Sequence, residues 1–197
     1  MTELPGDRRP FSVITASRLD PRKRIDLAIR VVAQAHKHIP ALQFDIYGKG
    51  GEADNLRHLI QELEAQDYIH LRGHAGLKQI YPYYQVYLAT SQWETFGLTL
   101  MEAAGAGLAL LGFDARYGNP TFMKEGENGY LVPYSGKRPE EELVKELADK
   151  LVQLFNRDLA PFHQASYDLA SCYLKTKVQE VWKQMLIEMG QLDRKEM

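Results

Sequence analysis

Along the 197-residue chain the spacing of apolar positions switches repeatedly between strand-like and helix-like. "FSVITAS" (11–17) is a short β-branched run, too short for a helix, and predicts a strand. Directly after it, Ile25, Ala28, Val32 and Ala35, flanked by Leu27 and Val31, recur in steps of three and four, which predicts an amphipathic helix. The alternation continues with a strand at "LQFDIYG" (42–48), a helix through Leu56, Ile60 and Leu63, a strand at "YIHLRG" (68–73) and a short helix near Leu77–Tyr84. A strand at "VYLATS" (86–91), a helix within "SQWETFGLTLMEAAGAG" (91–107), and strands at "LALLGF" (108–113) and "GYLVP" (129–133) complete it. Strands separated by helical stretches imply βαβ units, so the expected fold class is α/β: a Rossmann-like doubly wound parallel sheet of about six strands with helices on both faces.

Beyond Pro133 the pattern becomes helical. Leu143, Leu147, Leu151, Leu154 and Phe155 form one stripe behind Pro139 and three glutamates, and more helix is expected from Pro161 to about Met189. The chain thus divides into a linker or remnant at 1–10, a core at 11–135, and C-terminal helices at 136–197 packing on the same domain.

Composition narrows the function classes. With 45% hydrophobic and 25% charged residues and a formal net charge of −2, the chain lacks the basic excess of a nucleic-acid binder. No apolar run reaches the roughly 18–20 residues of a membrane span, and "MTELPGDRRP" offers no signal-peptide core. The single cysteine, Cys172, fits a reducing compartment, so a cytoplasmic protein is expected, with Cys172 buried in a helix as a small apolar residue. No clustered His/Asp set suggests a divalent metal, and no cofactor is expected.

In open parallel sheets, ligands collect at the carboxyl ends of the strands, where helix N-termini present unpaired N–H groups. After the first strand "SRLDPRKRID" places Arg18 and Lys23, with Arg22 and Arg24 beside them; after the second stand Gly48, Gly50 and Gly51 around Lys49. After the fourth come Glu94, Phe96 and Gly97. Cations, close backbone approach and carboxylates suit a nucleotide diphosphate: charge for phosphate oxygens, glycine for access, carboxylate for ribose hydroxyls. Taken singly these are weak signals: the Arg/Lys loop also reads as solvated charge, and "GKGG" as a turn, being neither a P-loop nor a full dinucleotide fingerprint. The eight residues from Glu94 to Glu102, at about 100° each, leave the two acids about 80° apart around the helix, so both can reach one ligand. Two carboxylates also suit a glycoside hydrolase, but these lie beside cations and a helix N-terminus rather than flanking a scissile bond.

"ASRLDPRKRIDLAI", "FDIYGKGGE", "IHLRGHA", "TSQWETFGLTLMEAAGAG" and "ENGYLVP" together resemble, in order and spacing, the donor-binding half of the retaining glycosyltransferases of family 4, which have the GT-B fold. "FDARYGNPTFMKEGENGYLV" (113–132) is nearer still to the branch of poly(glycerol-phosphate) α-glucosyltransferases and accessory-secretion O-GlcNAc transferases. The resemblance implies transfer of a hexose from a nucleotide-sugar, UDP-GlcNAc or UDP-glucose, to a hydroxyl. It implies that Arg18 and Lys23 meet the diphosphate, that Glu94 touches the transferred sugar, and that Phe96, Gly97 and Leu98 offer backbone N–H groups to phosphate and sugar. Glu102 would hold the ribose hydroxyls, backbone groups near Arg72 and His74 would read the base, and Gly48 would let the chain pass close to the nucleotide. His74 equally suits a satisfied loop histidine. Ser17 and Ala109 depart from the family's usual Gly and Pro without removing a functional group.

A GT-B enzyme also needs an N-terminal acceptor domain, expected here to be missing and to leave the domain inactive alone. A non-catalytic nucleotide-sugar-binding or interaction module is the alternative, with a nucleotide-sugar 2-epimerase fragment behind it. An apolar tail stripe at Trp182, Leu186 and Met189 raises the further expectation of a homo-oligomer.

Overall fold

The computed structural model describes residues 7–195. Six strands, β1 (Ser12–Ala16), β2 (Gln43–Tyr47), β3 (Ile69–Gly73), β4 (Val86–Ala89), β5 (Ala109–Phe113) and β6 (Gly129–Val132), form one sheet in the order β3-β2-β1-β4-β5-β6, each pair parallel. The order reverses between β1 and β4, the switch point at which doubly wound sheets open a crevice. Seven helices accompany them: α1 (Ile25–His36), α2 (Ala53–Glu62), α3 (Leu98–Gly105), α4 (Gly118–Phe122), α5 (Glu140–Phe155), α6 (Ala160–Ser171) and α7 (Lys175–Lys195).

Alternation along the strands builds two cores. Val13, Phe44, Ile46, Val86, Leu88 and Leu111 point toward α1, α2 and α5, whereas Ile14, Tyr87, Ala89 and Leu110 point toward α3 and α4. Helix α6 joins the two, giving Phe162 to the first cluster and Ala170 to the second. Every β1 residue is buried, which is why "SVITA" carries no charge.

Several elements differ from the expectations. The short helix near Leu77–Tyr84 is two 3-10 turns, Leu77–Gln79 and Tyr81–Tyr83, separated at Ile80 ahead of Pro82. Helix α4 carries no hydrophobic period and was not expected. The helical stretch expected from Pro161 to about Met189 is two helices, parted at Cys172–Leu174, and α6 docks while α7 departs. Residues 172–190 are exposed, so the tail at 136–197 does not pack on the domain throughout: α5 and α6 do, and residues 175–190 of α7 do not. With Lys, Gln and Glu interleaved among its apolar positions, α7 has no domain surface to cover. Cys172 is exposed rather than buried, because it falls at the end of α6.

The segment read as a linker also has structure where it is described. Residues 1–6 lie outside the described part, but Arg8 donates to the carbonyl oxygens of Tyr84 (2.6 Å), Ala106 (2.7 Å) and Pro82 (3.4 Å). Burial lowers its pKa to about 10.

Candidate functional site

Three loops meet at the carboxyl ends of β1, β4 and β5. The loop after β1 turns through a 3-10 segment, Pro21–Lys23, started by Asp20, whose side chain accepts the Arg22 N–H at 3.0 Å. It is tied to the loop after β4: Thr90 Oγ1 donates to the Lys23 carbonyl (3.1 Å) and the Gln92 N–H to the Arg22 carbonyl (3.0 Å). The loop after β5 wraps the same point, Tyr117 and Gly118 both donating N–H groups to the Glu94 carbonyl (2.6 and 2.7 Å). A Cβ on Gly118 would stand 2.5 Å from the Phe96 carbonyl oxygen, so that approach requires glycine.

Held this way, Lys23 Nζ lies 2.6 Å from Glu94 Oε2, with both side chains about four-fifths buried (17% and 21% exposed). The sequence reading sends Lys23 to phosphate and Glu94 to sugar; in this structure they pair with each other, since two largely buried opposite charges within reach lower each other's cost. Arg18 stands apart, largely exposed, 3.6 Å from Asp20. Arg24 is occupied structurally: it bonds Asp26 (2.9 Å) and Glu140 (2.6 Å), joining the starts of α1 and α5, and its Asp26 bond raises its pKa further despite burial.

Gly97 adopts a left-handed conformation (φ 83°) at the start of α3, and no side chain caps that helix. Its first N–H groups therefore face the crevice with the positive end of the helix dipole. Phe96 and Leu98 flank it, both exposed, with Phe96 edge-on to Phe122 at 5.3 Å between centroids. Beneath the turn, the buried Tyr87 hydroxyl lies 3.0 Å from the Ala16 carbonyl and 2.9 Å from Thr99 Oγ1. With one proton it donates to the carbonyl and accepts from Thr99, and burial raises its pKa to about 12.

Around this point open three adjoining spaces. A crevice of about 20 Å³ holds Lys23, Glu94, Thr99 and Asn119. Next to it, sharing Ala16, Ser17 and Thr99, a pocket of about 250 Å³ is lined by Arg18, Gly48, Lys49, His74, Ala75 and Leu77. Leu77 also borders a cavity of about 470 Å³ against α3 and α6, lined by Tyr81, Met101, Glu102 and Tyr173. The two glutamates thus open into different compartments, and burial raises the pKa of Glu102.

Of the residues singled out in the sequence, Lys23 and Glu94 share the crevice and Arg18, Gly48 and His74 line the adjoining pocket, whereas Glu102 lines the cavity beside α3 and not the crevice of Glu94. The Arg72 side chain turns away to Asp45 (Nε to Oδ1, 2.7 Å), leaving only its backbone near the pocket that His74 lines. Gly48 is required chiefly by its own chain, because a Cβ there would stand 1.9 Å from the Ser17 carbonyl oxygen. Thr99, Tyr117, Gly118 and the buried Asn119, which donates to the Phe113 carbonyl at 2.8 Å, were not singled out. The Gly-Asn pair after a buried strand was the available signal. Among the described residues no group of three or more His, Cys, Asp or Glu could hold a metal ion, and no helix is long and apolar enough to cross a membrane.

A parallel sheet with its polar cluster, cations and uncapped helix start gathered at the switch point defines a Rossmann-like α/β domain with a ligand crevice between β1 and β4. The family model described as "Glycosyl transferases group 1" matches residues 3–158, and the chain belongs to that family. It is 50% identical over 182 residues to the GtfA subunit of the UDP-N-acetylglucosamine–peptide N-acetylglucosaminyltransferase of Streptococcus gordonii, covering 92% of this chain and 36% of that protein. The crystal structure of pneumococcal O-GlcNAc transferase GtfA in complex with UDP and GlcNAc superposes with a TM-score of 0.87 at 49% identity, over 92% of this chain and 36% of that one. A GtfA/B complex gives a TM-score of 0.89 at 48% identity, over 94% and 37%. The fold is that of a GT-B glycosyltransferase domain, and the chain spans 36% of the length of the Streptococcus gordonii relative it matches.

Proposed function

We propose that this chain holds the donor of a retaining, family 4 hexosyl transfer, and that the donor is a UDP-sugar, UDP-GlcNAc ahead of UDP-glucose. The observation that carries this is the Lys23–Glu94 pair at the start of α3, beside a pocket of about 250 Å³ that adjoins, at Leu77, a cavity of about 470 Å³. In this reading the donor diphosphate takes Lys23 from Glu94, and Arg18 swings in from solvent beside it. The freed Glu94 carboxylate accepts from a sugar hydroxyl, and Glu102 accepts from the ribose. The base occupies the pocket of Gly48, His74 and Ala75. The relative crystallised with UDP and GlcNAc supports the choice of donor.

Transfer requires charge to build on the leaving phosphate, and Lys23, Arg18 and the N–H groups of α3 are placed to meet it. The leaving phosphate oxygen then takes the acceptor hydroxyl's proton, so no protein nucleophile and no metal enter the proposal. The acceptor would be presented by a second domain across the crevice, and transfer by these residues alone is expected to be undetectable. A nucleotide-sugar donor and an exposed free Cys172 both suit the cytoplasm.

The test is calorimetric titration with UDP, ADP and GDP, then with UDP-GlcNAc and UDP-glucose. UDP is expected to bind with micromolar-to-millimolar affinity and to be preferred. Loss of a charge-assisted hydrogen bond in Lys23→Ala or Glu102→Ala should weaken UDP by about tenfold or more. Absence of UDP binding at millimolar concentration would sink the reading.

A further inference from the structure

Among the described residues Asp45, on β2, is the one buried carboxylate (4% exposed). It does not line any of the three spaces at the crevice, yet it gathers partners from across the chain. Oδ1 accepts from Arg72 Nε at 2.7 Å, and Oδ2 accepts from the Tyr84 hydroxyl. Arg9 Nη1 lies 3.7 Å from Oδ2, with its guanidinium 4.3 Å from the centroid of the Tyr84 ring. A buried charge so fully partnered makes removal of any one partner costly.

The cluster sits beside an irregularity of the sheet. Phe44, Asp45 and Ile46 pair with Ile69, His70 and Leu71, but Tyr47 then pairs with Gly73, so Arg72 is an extra residue on β3. A bulge of this kind ends regular pairing and re-aims the chain beyond it. Here Gly73 turns into the left-handed region (φ 74°) and its carbonyl accepts the Gly48 N–H at 2.8 Å. His74 and Ala75 follow immediately and line the 250 Å³ pocket with Gly48. The residue that Asp45 grips is therefore the residue that is out of register.

The geometry points to Asp45 as a positioning residue for the base end of the donor: by holding Arg72 it locks the one-residue bulge that sets where His74 and Ala75 stand. Without that grip Arg72 can slip into register opposite Tyr47, a shift of one residue that withdraws Gly73 from Gly48 and moves His74 away from its place. The role in donor selection rests on the reading of this pocket as the base site.

The full 197-residue chain is compared with Asp45→Asn, Arg72→Met and Arg72→Lys by amide hydrogen exchange and by titration with UDP and ADP. The Gly48 amide should exchange about tenfold faster in Asp45→Asn and Arg72→Met, while the Ser17 amide, bonded to Tyr47 on the other side of β2, keeps its protection. UDP should weaken about tenfold in the same two variants with ADP unchanged, erasing base preference. Arg72→Lys, which keeps a cation within reach of the carboxylate, should restore part of both. Should Asp45→Asn fail to fold, Arg72→Met decides, since that side chain is already 45% exposed. Unchanged Gly48 exchange in folded Arg72→Met would overturn the locking role. Faster exchange with base preference intact would overturn the positioning role, leaving a cluster that serves the sheet alone. Failure of the unaltered chain to bind UDP would instead remove the donor reading, with the exchange result still deciding the lock.

Discussion

Gly48 has no room for a side chain on the face turned toward Ser17, where a Cβ would stand 1.9 Å from a carbonyl oxygen. Gly48→Ala is expected to destabilise the fold by about 3 kcal/mol or more in urea denaturation, since backbone rather than a flexible side chain must yield. It should weaken UDP as well, because the same loop walls the pocket of His74 and Arg18. The sequence showed that glycines cluster after β2; it did not show that the neighbour demanding them is the β1 loop. Glu94 is the comparable case among charged residues. Its place before α3 was legible from spacing, whereas its pairing with Lys23, 71 residues earlier, depends on two loops that only the folded sheet makes adjacent.

At the scale of elements, α6 is held at the foot of the sheet by a titratable contact. His163 Nε2 lies 3.1 Å from the Gln85 carbonyl, which requires the nitrogen to carry the proton of a neutral ring. Burial first, and then the Arg8 charge, lower its pKa to about 4, against the opposing pull of the Gln85 carbonyl and Asp158. Between about pH 6.5 and 4 the unfolded chain binds this proton and the folded one does not. Stability is therefore full above 6.5 and falls as pH drops toward 4, with a slope of up to about 1.4 kcal/mol per pH unit from this group. Denaturant midpoints from pH 7 to 4 should show that slope reduced in His163→Gln. The α6 period was visible in the sequence, but its end at Ser171 was not, because "SCYLKTK" contains no proline or glycine to stop a helix.

Across the whole molecule, α7 is the part the domain does not use. Val181, Trp182, Leu186 and Met189 are all at least half exposed, and contiguous exposed apolar side chains favour association. Ending the chain after Leu174 should leave the urea-unfolding free energy unchanged within about 0.5 kcal/mol, since none of residues 175–190 is buried. The complete chain is expected to self-associate with rising concentration in sedimentation velocity, and the shortened one to stay monomeric. A monomer for both at high concentration would mean that this stripe does not drive assembly.

Period, strand length and turn residues by themselves determined the α/β class, the six strands and the loops at which chemistry collects, because those follow from each segment's need to bury one face or two. The motif order also pointed to a glycosyltransferase, and the family the chain belongs to is that of the group 1 glycosyl transferases. What only the tertiary structure decided is which polar groups face each other: Lys23 with Glu94, Arg24 with Glu140, and Arg72 with Asp45. Their separation along the chain carries no local period, and their pairing is set by the strand order and by a bulge, features that exist once the sheet has formed.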